Sequence, residues 1–235
     1  MEVQNQPSRH GPPGPQPPPR RHFTDDVLLE RTVGSAVDGA ALAIDCHLAL
    51  CASCRAIGAD LEQIGEALLA DAASPDPGLR ARILDHSAQL PAPLPARAHP
   101  PLPAALLAGL PPLPAPLVAA IAALPRPRWR WLIPGMRGIP VIERGRYVAR
   151  LLRMRPGLVI PSHDHRGPEY TVVFAGGLID EAGHLGSGDA MLMLPGERHR
   201  QQAAAGEGCL ALVVNEAPLR PLNPMGRFLK WLARA

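Results

Sequence analysis

The sequence predicts an α+β protein whose two classes of structure lie in separate domains. Residues 22–90 carry apolar side chains at helical spacing, which is typical of a small all-α bundle. From residue 128 onward, apolar residues alternate with polar ones between Gly- and Pro-rich turns, which favours a sandwich or small barrel. Proline, alanine and leucine dominate residues 91–127, so we expect a semi-rigid linker between the two domains.

Composition limits the classes of function. The chain has 235 residues, of which 46% are hydrophobic but only 3% aromatic, so its cores must be mainly aliphatic. A net charge of +3 argues against broad nucleic-acid binding, and we expect no direct nucleic-acid partner. We find no apolar run of about 18 residues or more and no apolar signal segment near the start. We therefore expect a soluble, cytoplasmic protein with no membrane partner.

Four helices are expected in the first domain, after a polar, Pro-rich and disordered tail at residues 1–21. Thr24 is a plausible N-cap of the first helix, and Asp38 can cap the second. A fourth helix is expected from Asp76 to about Ala88. The third helix follows Ser53 and carries one apolar stripe, formed by Ile57, Leu61, Ile64 and Leu68.

The linker and the second domain follow a different pattern. Two linker pieces, 104–109 and 117–124, are predicted to form short helices that dock on a neighbour or remain marginal. Trp129 and Trp131 are expected to pack at the junction with the second domain, which we place at 128–220. Residues 221–235 are predicted to form an amphipathic helix on its surface. Strands are expected at 147–154, 169–174, 190–194 and 209–214.

A compact cluster of metal-binding residue types lies in the first domain. His47-x3-Cys51-x2-Cys54 can place an imidazole and two thiols around one zinc ion, which then needs a fourth ligand. His22, Cys46 and His86 are the candidates. Cys46 points about 100° away from His47 on a helix, whereas His22 precedes the first helix and can fold back. We favour His22, and such a zinc ion would compensate for the small core of the bundle.

These four residues, with the spacing between His22 and His47, resemble the zinc-binding anti-sigma domain of the ChrR-type family. The resemblance covers roughly residues 20–90. It implies that His22, His47, Cys51 and Cys54 are zinc ligands. It also implies a helical domain that wraps an extracytoplasmic-function-type sigma factor and keeps it from core RNA polymerase.

A second metal-binding pattern lies in the β-rich domain. His163-x-His165-x3-Glu169 places two imidazoles on one side of a strand and a carboxylate after the turn. Gly188-Asp189 and then Gly196-x2-His199 follow about thirty residues later. Three imidazoles and a carboxylate suit zinc or another divalent transition metal. We therefore predict a metal site formed by His163, His165, Glu169 and His199.

This second pattern resembles the two motifs of the cupin superfamily, whose fold is a double-stranded β-barrel. Two positions depart from that pattern. Leu194 stands where the second motif often has proline, and no asparagine follows His199 at the usual interval. These departures weigh against catalysis more than against metal binding. The enzyme alternative is a metal-dependent cupin dioxygenase or isomerase, although we identify no catalytic residue.

The order of the two motifs resembles the layout of ChrR-type anti-sigma factors over roughly residues 20–220. The resemblance implies a transcriptional regulator that holds a sigma factor through its zinc-bound domain. It further implies that an oxidative cue such as singlet oxygen, acting on the cupin-like domain, releases the sigma factor. Imidazole, thiol and thioether groups are oxidisable. The candidate targets are His163, His165, His199, Met191, Met193 and Cys209.

Overall fold

The computed structural model describes residues 18–70, 77–89, 101–144, 147–216 and 220–221. Three sequence predictions therefore fall wholly or partly outside the described residues. Most of the tail at 1–21 and the start of the linker at 91–127 lie there. So does nearly all of the C-terminal helix predicted at 221–235.

Among the described residues, four helices form the N-terminal region, and two short ones belong to the linker. Val37, whose backbone is extended, is the N-cap of the second helix, so the prediction of Asp38 as the cap is wrong by one residue. Asp38 lies in the first turn, where its negative charge interacts favourably with the helix dipole. The helices are α1 (Asp25–Thr32), α2 (Asp38–Leu50), α3 (Ala52–Ala70), α4 (Pro77–Gln89), α5 (Ala104–Leu107) and α6 (Ala115–Ala122).

A sharp bend separates α2 from α3. Cys51 leaves helical geometry there, with φ −112° and ψ 110°, and the two helix axes differ by 116°. Within the described ranges, no single helix is long and apolar enough to cross a membrane. Only this bent pair meets the length and composition criterion together.

Two antiparallel sheets are formed by the described part of the C-terminal region, which confirms the predicted cupin-like β-domain. The first sheet has the order β1-β2-β3-β10-β5-β8 and the second β11-β4-β9-β6-β7. The strands are β1 (Arg130–Ile133), β2 (Met136–Arg144), β3 (Tyr147–Met154), β4 (Val159–Asp164), β5 (Glu169–Gly176), β6 (Leu178–Asp180), β7 (Gly183–Leu185), β8 (Ala190–Met193), β9 (Arg198–Ala203), β10 (Cys209–Asn215) and β11 (Arg220–Pro221).

The central strands of the first sheet are buried on both faces. Along β10, Leu210, Leu212 and Val214 pack against the helices, whereas Cys209 and Ala211 point between the two sheets. This alternation follows the two-residue period of a strand. The helices and the outer face of the first sheet thus share one apolar core, and a second core fills the barrel.

The linker helices and α2 both lie close to this sheet. Leu106 of α5 and Leu117 and Ile121 of α6 are buried in the shared core, so both short helices dock. Gly39 in the first turn of α2 lies against β10, because a Cβ atom there would be 2.7 Å from Val214 Cγ1. Trp131, however, is 75% exposed on edge strand β1, so the prediction that it packs at the junction is wrong.

Part of the N-terminal region is packed and part is exposed. Ile57 and Leu61, in the first half of the predicted α3 stripe, pack against the shared core. Ile64 and Leu68, in its second half, are 57% and 72% exposed. The described side chains of α4, residues 78–89, are all exposed. The exposed apolar residues, which we call the α3–α4 surface, are Ile64, Leu68, Leu69, Leu79, Ile83 and Leu84.

Candidate metal centres

The structure brings His22, His47, Cys51 and Cys54 together at the bend between α2 and α3. One potential ligand atom from each residue lies within 4.8 Å of the others. His47 Nε2 is 3.3 Å from Cys54 Sγ, and His22 Nδ1 is 3.3 Å from Cys51 Sγ. His22 comes from the segment before α1, as the sequence argument preferred. We call these residues the N-terminal cluster.

The bend explains how residues from two helices can converge. His47 lies in the last turn of α2, Cys51 at the joint and Cys54 in the first turn of α3. The Cys54 backbone N–H donates to Cys51 Sγ at 3.4 Å, which holds this sulfur atom against the first turn of α3. The other candidates for a fourth ligand do not take part: Cys46 is buried apart from the cluster, and His86 is exposed on α4.

Burial shapes the protonation of the N-terminal cluster. It lowers the pKa of His47, so the ring is neutral and has a lone pair available for a metal ion. Burial, with the neighbouring Cys51 thiol, raises the pKa of Cys54 to about 12. A metal ion must displace that thiol proton, so its binding releases protons and weakens in acid. Two thiols and two imidazoles are the donor set of a tetrahedral zinc site.

Sequence reasoning missed one contact of this cluster. His47 Nδ1 lies 2.9 Å from the backbone carbonyl oxygen of Gly188, a residue in the turn between β7 and β8. As the proton donor, Nδ1 leaves Nε2 free to face the sulfur atoms. The edge of the Phe23 ring packs on the same imidazole at a centroid distance of 5.5 Å. No spacing in the sequence indicates that a barrel turn supports a ligand of the helical domain.

The structure also brings together His163, His165, Glu169 and His199, which we call the barrel cluster. His163 lies on β4 opposite His199 of β9, His165 follows β4, and Glu169 begins β5. His199 Nε2 is 2.9 Å from the Nε2 atoms of both His163 and His165. Glu169 Oε1 is 3.8 Å from His199 Nε2. All four residues are buried, and none is more than 5% exposed.

Charge in the barrel cluster is controlled by desolvation. Burial lowers the pKa of His165 to about 4 and that of His199 to about 3, so both rings are neutral at pH 7. The Nε2 lone pairs of three neutral imidazoles repel one another at this distance when no proton lies between them. One cation at the centre would instead be bound by all three lone pairs. Burial raises the pKa of Glu169 to about 8. The donor set fits a divalent transition metal.

Asn215 is a further residue that sequence reasoning missed. It is the last residue of β10 and lies opposite Glu169 in the antiparallel register of β10 and β5. Its side-chain amide affects the pKa of both neighbours: it lowers that of Glu169 and raises that of His165. The effect on Glu169 opposes that of burial by favouring the carboxylate. Only the strand register shows this role, because Asn215 lies outside both histidine motifs.

Comparisons with known proteins agree with this architecture. A family model described as the ChrR cupin-like domain matches residues 120–219. The anti-sigma-E factor ChrR of Cereibacter sphaeroides is 32% identical over 206 residues, which cover 86% of this chain and 92% of that protein. The crystal structure of Rhodobacter sphaeroides SigE in complex with the anti-sigma ChrR matches with a TM-score of 0.62 and 28% identity. That match covers 83% of this chain and 98% of the matched chain.

A helical region with a His/Cys cluster, joined to a cupin-like domain with a His/Glu cluster, defines the class of protein. Within that class, the similarity to ChrR extends over both regions and most of the chain. The chain therefore belongs to the family of ChrR-type anti-sigma factors.

Proposed function

We propose that this chain is an anti-sigma factor that sequesters an extracytoplasmic-function-type sigma factor and releases it on an oxidative signal. The helical residues 22–90 hold the sigma factor, and the cupin-like residues 128–220 receive the signal. The match to a ChrR solved in complex with SigE carries the first part of this proposal, because it covers 98% of that ChrR chain. The protein acts as a regulator and has no direct nucleic-acid or membrane partner.

The α3–α4 surface is the proposed contact for the sigma factor. It exposes six large aliphatic side chains on two helices that are consecutive in the chain, with Leu68 and Leu69 more than 70% exposed. Exposed apolar surface marks protein–protein interaction sites when it is extensive. The chain also has no described barrel element packed over α4, since the side chains at 78–89 are all exposed. A helical partner can bury this surface by laying its own apolar face against it.

The two clusters take different parts in the proposal. Zinc at the N-terminal cluster has four protein ligands, His22, His47, Cys51 and Cys54, and so would be a closed structural site. Its role is to hold α2 and α3 at the bend and to fix the segment before α1. The barrel cluster holds zinc or another divalent transition metal and belongs to the signal-receiving part.

The oxidation targets are placed differently around the barrel cluster. Met191 and Cys209 lie in the core between the sheets, and Met193 packs against it. Burial raises the pKa of Cys209 to about 12, so this thiol stays protonated and reacts poorly as a nucleophile. The imidazoles of the barrel cluster and the buried thioethers are therefore the better candidates for the oxidised groups. Oxidation of any of them introduces a polar group into a packed interior.

Co-expression with an extracytoplasmic-function-type sigma factor tests the proposal. The wild-type chain should retain the sigma factor during affinity purification. Cys51→Ser should lose zinc at the N-terminal cluster and weaken retention at least about 10-fold, because a structural zinc site contributes folding free energy directly. Cys46→Ala is the matched control, since Cys46 is also a buried thiol, near the end of α2, but lies outside the cluster. Full retention by zinc-free Cys51→Ser contradicts the structural role of zinc.

The enzyme alternative is tested by the same preparations. A cupin dioxygenase or isomerase needs a substrate to reach the barrel cluster, whose four side chains are at most 5% exposed. The similarity to a regulator over most of the chain also favours the non-enzymatic function. Iron in the barrel cluster together with substrate-dependent oxygen uptake would support the enzyme. Zinc at both clusters without such uptake supports the regulator.

A further inference from the structure

A single turn of the cupin-like domain contacts the N-terminal cluster on two sides. This turn, residues 186–189, joins β7 to β8. On one side, the Gly188 carbonyl oxygen lies 2.9 Å from His47 Nδ1. On the other side, the turn is bonded to the backbone just before His22. The two histidines of one cluster are therefore both supported by the same turn, although the turn lies in the other domain.

The carboxylate of Asp189 makes the second connection. Asp189 Oδ1 accepts hydrogen bonds from the backbone N–H groups of Arg20 at 2.6 Å and Arg21 at 3.0 Å. The Ala190 N–H donates to the Arg21 carbonyl oxygen at 3.0 Å, so the segment is held like a short strand. Asp189 Oδ2 accepts from the Gly186 N–H at 2.7 Å, which closes the turn itself. Asp189 is only 4% exposed, so water competes little for these bonds.

Close packing reinforces the hydrogen bonds. Gly188 has φ +87°, and a Cβ atom there would lie 2.7 Å from Pro19 Cγ. Glycine is therefore needed both for the backbone geometry and for the approach of the N-terminal segment. Arg21 also lies 3.8 Å from Asp180 of β6, which adds an ionic contact to the barrel. Residues 19–21 are thus attached to the barrel immediately before His22, which enters the cluster.

We propose that Asp189 is a positioning residue of the N-terminal metal site: it fixes the backbone that carries His22, while Gly188 beside it orients His47. The proposal rests on metal binding at that site, as given under the proposed function. Partners that orient metal ligands typically change metal affinity by about 10–100-fold when they are removed. The barrel therefore controls how firmly the helical domain retains its metal ion.

The same turn is bonded to the strand that begins at the barrel cluster. The Gly188 N–H donates to the Val173 carbonyl oxygen at 2.8 Å, and the Val173 N–H donates to the Asp189 carbonyl oxygen at 3.0 Å. Val173 belongs to β5, whose first residue is Glu169. A rearrangement of β5 at the barrel cluster would therefore act directly on the turn that holds His22 and His47.

Cobalt substitution of the full-length chain tests the role of Asp189. Thiolate-to-cobalt charge-transfer absorption reports only the N-terminal cluster, because the barrel cluster has no cysteine ligand. The decay of this band after addition of excess EDTA measures metal release. Asp189→Ala should release cobalt at least about 10-fold faster than wild type, and Asp189→Asn, which keeps the side-chain shape, should lie between them. Circular dichroism establishes that each variant is folded.

Two further variants act from the other side of the contact and leave the barrel unchanged. Arg20→Pro removes the backbone N–H that donates a hydrogen bond to Asp189 Oδ1. Arg20→Ala keeps that N–H and removes only the exposed side chain. Fast release by Arg20→Pro with wild-type release by Arg20→Ala is the expected result. Glu197→Ala is a barrel control and should match wild type, because Glu197 accepts the Leu194 N–H within another turn.

The outcomes separate this inference from the function on which it rests. Wild-type release rates in both Asp189→Asn and Arg20→Pro, with the cobalt band intact, would overturn the role of Asp189 alone. Absence of the thiolate–cobalt band in the wild-type chain would overturn the N-terminal metal site itself and this inference with it. If Asp189→Ala does not fold, Asp189→Asn and the Arg20 pair still decide the question.

Discussion

Glu169 makes the stability of the metal-free barrel depend on pH. Its carboxyl group is buried among neutral imidazoles, and this burial raises its pKa from the ordinary 4.5 to about 8. The folded chain therefore binds the Glu169 proton more tightly than the unfolded chain. Between pH 4.5 and about 8, unfolding releases this proton, so stability falls as pH rises. Lowered histidine pKa values act in the opposite direction, but mainly below the ordinary 6.5.

We expect the metal-free chain to lose a few degrees of melting temperature between pH 6.5 and 8. Glu169→Gln should flatten this dependence, because glutamine has no proton to lose in that range. Thermal unfolding after chelator treatment, followed by circular dichroism, measures the effect. Glu197→Gln provides the control, since Glu197 is an exposed acid of a barrel turn. An equal slope in wild type and Glu169→Gln would show that another group causes the pH dependence.

At the residue scale, local spacing identified the clusters but could not identify their support. His47, Cys51 and Cys54 are close in sequence, and the short turn after β4 places His163, His165 and Glu169 together. Helix geometry favours His22 over Cys46, which points away from His47, and His22 does lie in the cluster. Asn215, by contrast, depends on strand register, and Asp189 depends on a contact between residues 168 positions apart. Such contacts follow from tertiary packing and leave no local periodicity.

At the scale of elements, the first half of the apolar stripe of α3 is packed and the second half is exposed. Helical period predicts one continuous face, and Ile57 and Leu61 do pack against the shared core. The helix then runs beyond that core, so Ile64 and Leu68 become exposed. Sequence period alone cannot show where the neighbouring elements end. An amphipathic helix that extends past its own core is well suited to complete its packing with a partner.

Leu68→Asp should weaken sigma-factor binding at least about 10-fold, since a buried leucine contributes roughly 1.5–3 kcal/mol and an aspartate would be buried unpaired. Leu68 is 72% exposed in the free chain, so its replacement should leave the melting temperature nearly unchanged. Gln63→Asp adds the same charge to an exposed α3 position off the stripe. Titration of the purified sigma factor by calorimetry compares the variants. Equal affinities for wild type and Leu68→Asp would exclude this surface as the contact.

At the scale of the whole molecule, the two regions are distinct in sequence but share a core. α1, α2 and α6 pack with β10, β5 and β3 in one cluster of buried residues. Leu28, Ile44, Leu117 and Leu212 are among the fully buried side chains of this cluster. The periodicity of apolar residues correctly separates a helical domain from a β-domain. It cannot show that a docked linker and a common core join them.

A fragment of residues 1–90 tests how far the helical region is independent. It keeps the N-terminal cluster and the α3–α4 surface, so we expect it to bind the sigma factor. Removal of the sheet exposes the inner face of α2, including Ile44, which is fully buried in the whole chain. It also removes Gly188 and Asp189, which support His47 and His22. We therefore expect a lower melting temperature, stronger binding of an apolar fluorescent dye and faster loss of zinc than in the full chain.

The fragment should also separate binding from signalling. Because it has no barrel cluster, its complex with the sigma factor should persist after exposure to photosensitised singlet oxygen, whereas the full-length complex should dissociate. Size-exclusion chromatography before and after illumination measures the dissociation of the fragment complex and of the full-length complex. Full-length Glu169→Gln is included as an intact chain that is altered only at the barrel cluster. Dissociation of the fragment complex at the full-length rate would place the oxidant target in residues 1–90. The thiols of the N-terminal cluster would then be the groups to examine, since they are the only described cysteine ligands within a predicted metal site.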